Sequence, residues 1–447
     1  MYHAAITSSF VVTDLPATPA DPSASGNVAI PVYSTSQVLR FAPVRRLMVA
    51  NFVLFAGVAL QAAALGKQVY DITGREADLG FVGLAEFLPT ALLVLVTGTI
   101  ADRFDRKKIA LITVAVEVAA SIALVVYTLS GPTAVWPFFA IAVVYGVGRA
   151  FQAPALRAMP PMVAPVGGLP KVIAMFSATW TSAAILGPAA SGFLYAIDPW
   201  VAYAGSTILI LIGWAALTLV TFERQPEPQD ASQRPTLRAA FEGLRFIRRT
   251  PILFAAISLD LFAVLFGGAV ALLPVIAEER LGVGDVAYGW LRAAPGIGAA
   301  VMAVLLAIRP IRRRVGRLLF IAVGMFGAAT VVLGVTREYA VAFVALLVLS
   351  AADMISVFVR GSLVPLVTPD EKRGRVLAVE NVFIGASNEL GAFESGVVAQ
   401  AVGTPATVIG GGLATLVVVA TWCVFFPSLR RVDRFEDLDH TRQQPPG

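Results

Sequence analysis

Seven acidic side chains fall inside stretches that are otherwise apolar enough to cross a membrane: Glu86, Glu117, Asp260, Asp353, Glu380, Glu389 and Glu394. Two arginines, Arg149 and Arg292, do the same. A charge at mid-bilayer costs about 2.5–3.5 kcal/mol even on the lenient insertion scale, so this set is not expected to face lipid. A carboxylate held in such a place can take up and release a proton, or grip a cation, with arginine as its counter-charge. Structural ion pairing is the other use of the same residues, and both uses stay open.

Spacing sorts the candidates. Asp260 shares a helical face with Ala256, Val264, Gly267 and Ala271, and Phe254, Phe262 and Phe266 fall roughly opposite. Small residues suit the protein interior and phenylalanines suit lipid, so Asp260 is the first proton or cation candidate. At 100° per residue, Glu380, Ser387, Gly391 and Glu394 cluster on one side of their helix, while Glu389 projects near the other with Gly385. If the small side is a helix contact, Glu389 is free to face a cavity and Glu380 and Glu394 are structural. Arg149 and Asp353 lie 204 residues apart and are candidates to oppose each other across a central site. Glu86 precedes Pro89 and could instead support a kink. Glu117 is a weaker candidate.

The elements that must position these residues are membrane helices. Hydrophobic residues make up 57% of the 447-residue chain and charged residues 14%, with a mean hydropathy of +0.78. Soluble domains carry about 25% charged residues. Long uncharged runs argue against a β-barrel, whose strands alternate over ~10 residues. Cys423 is the sole cysteine, and the two histidines, His3 and His440, lie in the tails. Buried haem or zinc ligation has no residues to use, so no metal or cofactor is expected. No phosphate-cradling Gly-x-x-x-x-Gly-Lys-Ser/Thr loop occurs, which excludes an ATP-driven pump of this chain alone.

Twelve stretches meet the ~20-residue requirement for a span: 46–69, 79–101, 108–130, 136–156, 171–196, 201–221, 251–277, 287–308, 317–335, 339–360, 375–400 and 405–427. They are called spans 1 to 12. The expected organisation is a disordered cytoplasmic tail over 1–40, a six-helix half over 41–221 and a linker with a surface helix over 222–250. A second half over 251–430 and a tail over 431–447 complete it. With both termini inside, only Lys67, Arg75, Arg280 and Arg337 of the 34 basic residues fall outside, apart from Arg149 and Arg292 within spans. Arg360 is counted with the inside loops. This bias places the chain in the cell (inner) membrane with cytoplasmic termini, and it turns the basic charge toward anionic lipid headgroups rather than nucleic acid.

An internal repeat divides the chain. Leu186-Gly187-Pro188-Ala189-Ala190-Ser191-Gly192 and Leu390-Gly391-Ala392-Phe393-Glu394-Ser395-Gly396 share L-G-x-x-x-S-G at an offset of 204 residues. Ala183, Gly187 and Ser191 form a small stripe, and Ser387, Gly391 and Ser395 form its counterpart. Such stripes let helix backbones approach closely. Two related halves around a central site are the arrangement of secondary transporters.

Between spans 2 and 3 runs Gly98-Thr99-Ile100-Ala101-Asp102-Arg103-Phe104-Asp105-Arg106-Lys107-Lys108. It resembles the signature loop of major facilitator transporters. Phe241 to Phe246 resembles the linker helix of the branch holding the enterobactin exporter and drug exporters, and Thr368 to Val376 resembles that branch's second-half loop. Gly187-Pro188 with Gly192 resembles the span 5 motif of proton-driven antiporters, although Ser191 stands where many carry glycine. Arg149 comes late in span 4 for the family's proton-relay arginine, and the loop Arg309 to Arg317 lacks the aspartate of its first-half counterpart.

The resemblance implies an all-α membrane protein of twelve helices in two pseudo-symmetric halves, not an enzyme. It implies a proton-coupled exporter of a bulky amphipathic compound, drug or siderophore-like, working as a monomer on a small-molecule substrate and protons. Gly98, Asp102, Arg103, Arg106 and Lys107 would form the cytoplasmic gating motif and stabilise the outward-open state. Uptake of a siderophore or lipid, or a non-transporting receptor or scaffold, is the alternative.

Overall fold

A computed structural model describes residues 33–222 and 237–438. Within span 2 the side chains of 94–96, 98–99 and 101–103 lie outside the description. The described residues are almost entirely helical. The spans run Ala42–Thr73, Glu76–Arg103, Arg106–Leu129, Trp136–Arg157, Leu169–Tyr195, Pro199–Thr218, Pro251–Arg280, Asp285–Ile308, Val315–Val335, Tyr339–Val367, Asp370–Val402 and Thr404–Phe425. Ten of them have both the length and the hydropathy to cross a membrane. Spans 2 and 11 are more charged, yet at 28 and 33 residues they exceed the ~30 Å hydrocarbon thickness.

Local chemistry sets the ends. Span 1 stops at Gly74, whose φ of 59° suits the residue that closes a helix. Asp105 begins span 3 by accepting from the backbone N–H groups of Lys107 (2.8 Å) and Lys108 (3.3 Å). Span 7 is α-helical only to Phe266 and then tightens and widens by turns to Arg280. The break falls at Gly268, where a Cβ would run into the Gly391 carbonyl and the Ser395 hydroxyl of span 11.

The two stripes of the repeat occupy equivalent places. Gly187 lies against Ala56, Ala59 and Leu60 of span 1, and Gly391 lies against Val264 and Leu265 of span 7. The second glycine of each motif faces the other half. A Cβ on Gly192 would meet Gly289 Cα at 2.8 Å, in span 8; one on Gly396 would meet Gly80 N at 2.9 Å, in span 2. Two glycine-on-glycine crossings thus join the halves at the end remote from the linker. Residues 223–236 lie outside the description, and a helix over Leu237–Arg249 follows. It packs on the start of span 11 through the Glu242–Arg375 ion pair (2.5 Å) and Lys372 over the Phe246 ring.

Candidate functional site

Four charged groups meet between the halves. Glu86 of span 2 and Arg149 of span 4 form an ion pair at 3.5 Å, and the arginine side chain is still 46% exposed. Glu389 of the other half is among the charges near Arg149. The Glu389 carboxylate of span 11 lies against Gly83, one turn from Glu86. Arg292 of span 8 completes the electrostatic neighbourhood of Glu86 and Glu389, and it donates to the Val270 carbonyl of span 7 at 3.0 Å. Acidic and basic groups from both halves therefore share one polar region inside a largely apolar protein.

Beneath this cluster, Glu117 of span 3 is fully buried. One oxygen accepts from Gln152 Nε2 at 2.8 Å; the other oxygen and the nearby Tyr145 hydroxyl have no partner among the described residues. Gln152 and Tyr145 carried no sequence signal, because a single Gln or Tyr in a span is ordinary.

A second cluster lies within the C-terminal half. Arg360 of span 10 pairs with Asp260 of span 7 at 2.7 Å and with Glu380 of span 11 at 3.6 Å. The three side chains are only 4%, 7% and 8% exposed. Ser356 donates to Asp260 at 3.3 Å. Asp353 shares a small cavity with Asp260 and Ser356, and no hydrogen-bond partner for it exists among the described residues. Three carboxylates thus surround one guanidinium.

Several expectations need correcting. Arg360 is not in an inside loop; span 10 continues seven residues past it to Val367, and two buried carboxylates neutralise it. The apolar run Leu363 to Val367 after it was the signal. Arg149 does not oppose Asp353: its partner is Glu86 within its own half, and Asp353 neighbours Asp260 and Arg360 instead. Glu86 accordingly carries an ion pair rather than serving the Pro89 kink alone. Phe262 turns its ring to Trp422 of span 12, centroids 5.5 Å apart, and so is not simply lipid-facing.

Of the gating residues, Gly98, Asp102 and Arg103 lie outside the side chains described. Arg106 is half-buried. Lys107 donates to the Thr218 and Val220 carbonyls, each at 2.7 Å, capping the end of span 6 within its own half. The loop before span 9 lacks an aspartate of its own, and the C-terminal segment supplies one: Asp433 accepts from the Arg314 N–H at 3.1 Å and pairs with Arg313 at 3.4 Å.

The end remote from the linker is closed by polar contacts as well as by glycine. Lys67 of span 1, 10% exposed, bridges Asp71, Glu278 (3.2 Å) and Asp285 (3.6 Å). Tyr70 donates to Glu279, and Tyr288 donates to the Ala63 carbonyl at 3.0 Å. The sequence counts Lys67 merely among the outside basic residues, since Glu278 and Asp285 lie more than 200 residues away.

Known proteins share this chain's family and fold. The family model described as transmembrane secretion effector matches residues 34–446. Macrolide efflux protein A of Streptococcus pyogenes is 28% identical over 211 residues, 46% of this chain, and the match spans 52% of that protein, about half its length. Multidrug efflux pump Tap of Mycolicibacterium fortuitum is 24% identical over 88% of this chain and 97% of its own. The inward-facing, occupied structure of a bacterial homolog of the human lysosomal transporter Spinster superposes with a TM-score of 0.65 at 14% identity. It covers 90% of this chain and 98% of that one, a likeness of fold.

Proposed function

The chain belongs to the transmembrane secretion effector family of major facilitator transporters, and from that premise we propose that it exports a bulky amphipathic organic compound in exchange for protons. The observation that carries the reading is the meeting of Glu86, Arg149, Glu389 and Arg292 between the halves. Arg149 and Arg292 would orient a polar or anionic group of the substrate, and Glu389 would take the proton as substrate leaves. Asp260 is the second proton candidate; its release would require Arg360 to shift toward Glu380. Efflux relatives support the export direction, and a macrolide is the first compound class to test.

Closure at the end remote from the linker fits a state open on the side of the termini, which the positive-inside bias assigns to the cytoplasm. Alternation would open the glycine crossings and the Lys67 bridge. The energy is adequate: one charge crossing 100 mV is worth about 2.3 kcal/mol before any pH gradient is counted.

The experiment compares accumulation of a compound panel, macrolides included, in cells with and without the gene, before and after the proton gradient is collapsed. Lower accumulation that disappears with the gradient is expected. Equal accumulation across the panel, or export that survives collapse, overturns the reading.

A further inference from the structure

We propose that the end of the protein remote from the linker carries an anion site for the phosphate of an acidic phospholipid headgroup or for a free phosphate-like anion. It is distinct from the site between the halves and does not depend on the transported compound. A cavity of about 240 Å³ opens there among Val275, Glu279, Arg280, Arg337, Thr404 and Pro405. These residues come from the end of span 7, the turn between spans 9 and 10, and the start of span 12, so the cavity sits at the membrane edge whichever way the chain is inserted.

Four features point to an anion. Arg337 is exposed and has no ion-pair or hydrogen-bond partner among the described residues. Arg280 donates to the Thr336 carbonyl at 3.0 Å and the Val335 carbonyl at 2.6 Å, which fixes its guanidinium while leaving its charge without a carboxylate. Thr404 is 5% exposed, and its hydroxyl is buried with no partner among the described residues; a buried polar atom of that kind calls for a ligand or water. Thr404 also opens span 12, a 22-residue helix, whose first-turn N–H groups and positive dipole end favour a bound anion. The lone carboxylate, Glu279, is engaged by the Tyr70 hydroxyl. Two guanidinium groups against one occupied carboxylate leave the lining net positive. A phosphodiester oxygen accepts charge-assisted bonds from the arginines and a bond from the Thr404 hydroxyl.

The Glu279–Tyr70 bond is one of the contacts joining the halves, so an occupant beside Glu279 adjoins the closed end directly.

The test uses the purified full-length chain in neutral detergent. Phosphatidylglycerol and inorganic phosphate are titrated separately while the melting midpoint is followed, and native mass spectrometry counts retained lipid. A ligand that binds only the folded state raises the midpoint. Arg337→Glu and the near-isosteric Thr404→Val should each weaken the effect at least about tenfold, the value of one charge-assisted hydrogen bond. Arg337 has no structural partner, so its variant should melt like the parent without ligand. A shift by the lipid alone identifies the headgroup as the source; a shift by phosphate identifies a soluble anion. No shift with either, or shifts that both variants retain in full, overturns the proposal.

Discussion

Removing Arg360 should destabilise the protein far more than removing a typical membrane-edge charge. The guanidinium is 4% exposed and holds Asp260 at 2.7 Å and Glu380 at 3.6 Å, with Asp353 adjacent. Taking one partner from a buried pair costs about 3–5 kcal/mol, because the remaining charge is left uncompensated. Arg360→Met leaves two paired carboxylates and Asp353 without a cation, so the expected loss lies at the upper end of that range. Asp260→Asn alone leaves Arg360 paired with Glu380 and should cost less, about 1–3 kcal/mol for one lost charged hydrogen bond. The double variant should cost less than the sum of the two, with a coupling of about 1.5–3 kcal/mol, since the second change removes a charge that the first had orphaned. Denaturant unfolding in mild detergent, read by tryptophan fluorescence on all four members of the cycle, measures this. An Arg360→Met variant as stable as the parent, or a coupling below about 0.5 kcal/mol, would refute the account of this cluster as a mutually neutralising set.

Glu389→Gln should lower proton-driven efflux from energised vesicles at least about tenfold while leaving the melting midpoint nearly unchanged, because Glu389 has no direct ion-pair partner among the described residues; undiminished flux would remove it from the exchange. Gly192→Ala and Gly396→Ala each insert a methyl within 2.6–2.9 Å of backbone atoms in the opposite half, an overpacking of about 1–3 kcal/mol that exists only while that end is closed. Spin labels on spans 5 and 8 should therefore report a larger separated fraction in Gly192→Ala, and identical distance distributions would count against the crossing as a closure contact. The Arg314 N–H, then the Arg313 guanidinium, hold the Asp433 carboxyl below its ordinary value of 3.8. A depressed folded value means the clasp on span 9 is fully present above that pH and is lost as pH falls through the lower folded value. Amide exchange at Arg314 should accelerate there, whereas Val315 and Gly316, which donate to the main-chain carbonyls of Asp433 and Val432, should change little; in Asp433→Ala the Arg314 amide should exchange fast at every pH.

Much of this protein could be read directly from the chain. Hydropathy and length together marked out the spans, ten of them apolar enough to stand on hydropathy itself, because a segment without water must satisfy its own backbone and so declares itself by length and apolarity. The L-G-x-x-x-S-G repeat located both small stripes, since a close backbone approach leaves no substitute for a missing side chain, whereas only packing showed that Gly192 and Gly396 meet the opposite half. The intramembrane charges announced themselves by cost alone.

Their partners did not. Arg149 took Glu86 instead of Asp353, Arg360 was drawn from a supposed loop into a buried triad, Lys67 became a bridge between halves, and Asp433 filled a gap in a loop more than a hundred residues earlier. Helical periodicity fixes which face a residue occupies but not which helix lies opposite. An ion pair depends on a few ångströms between elements distant in sequence, and only the packed helices set that separation.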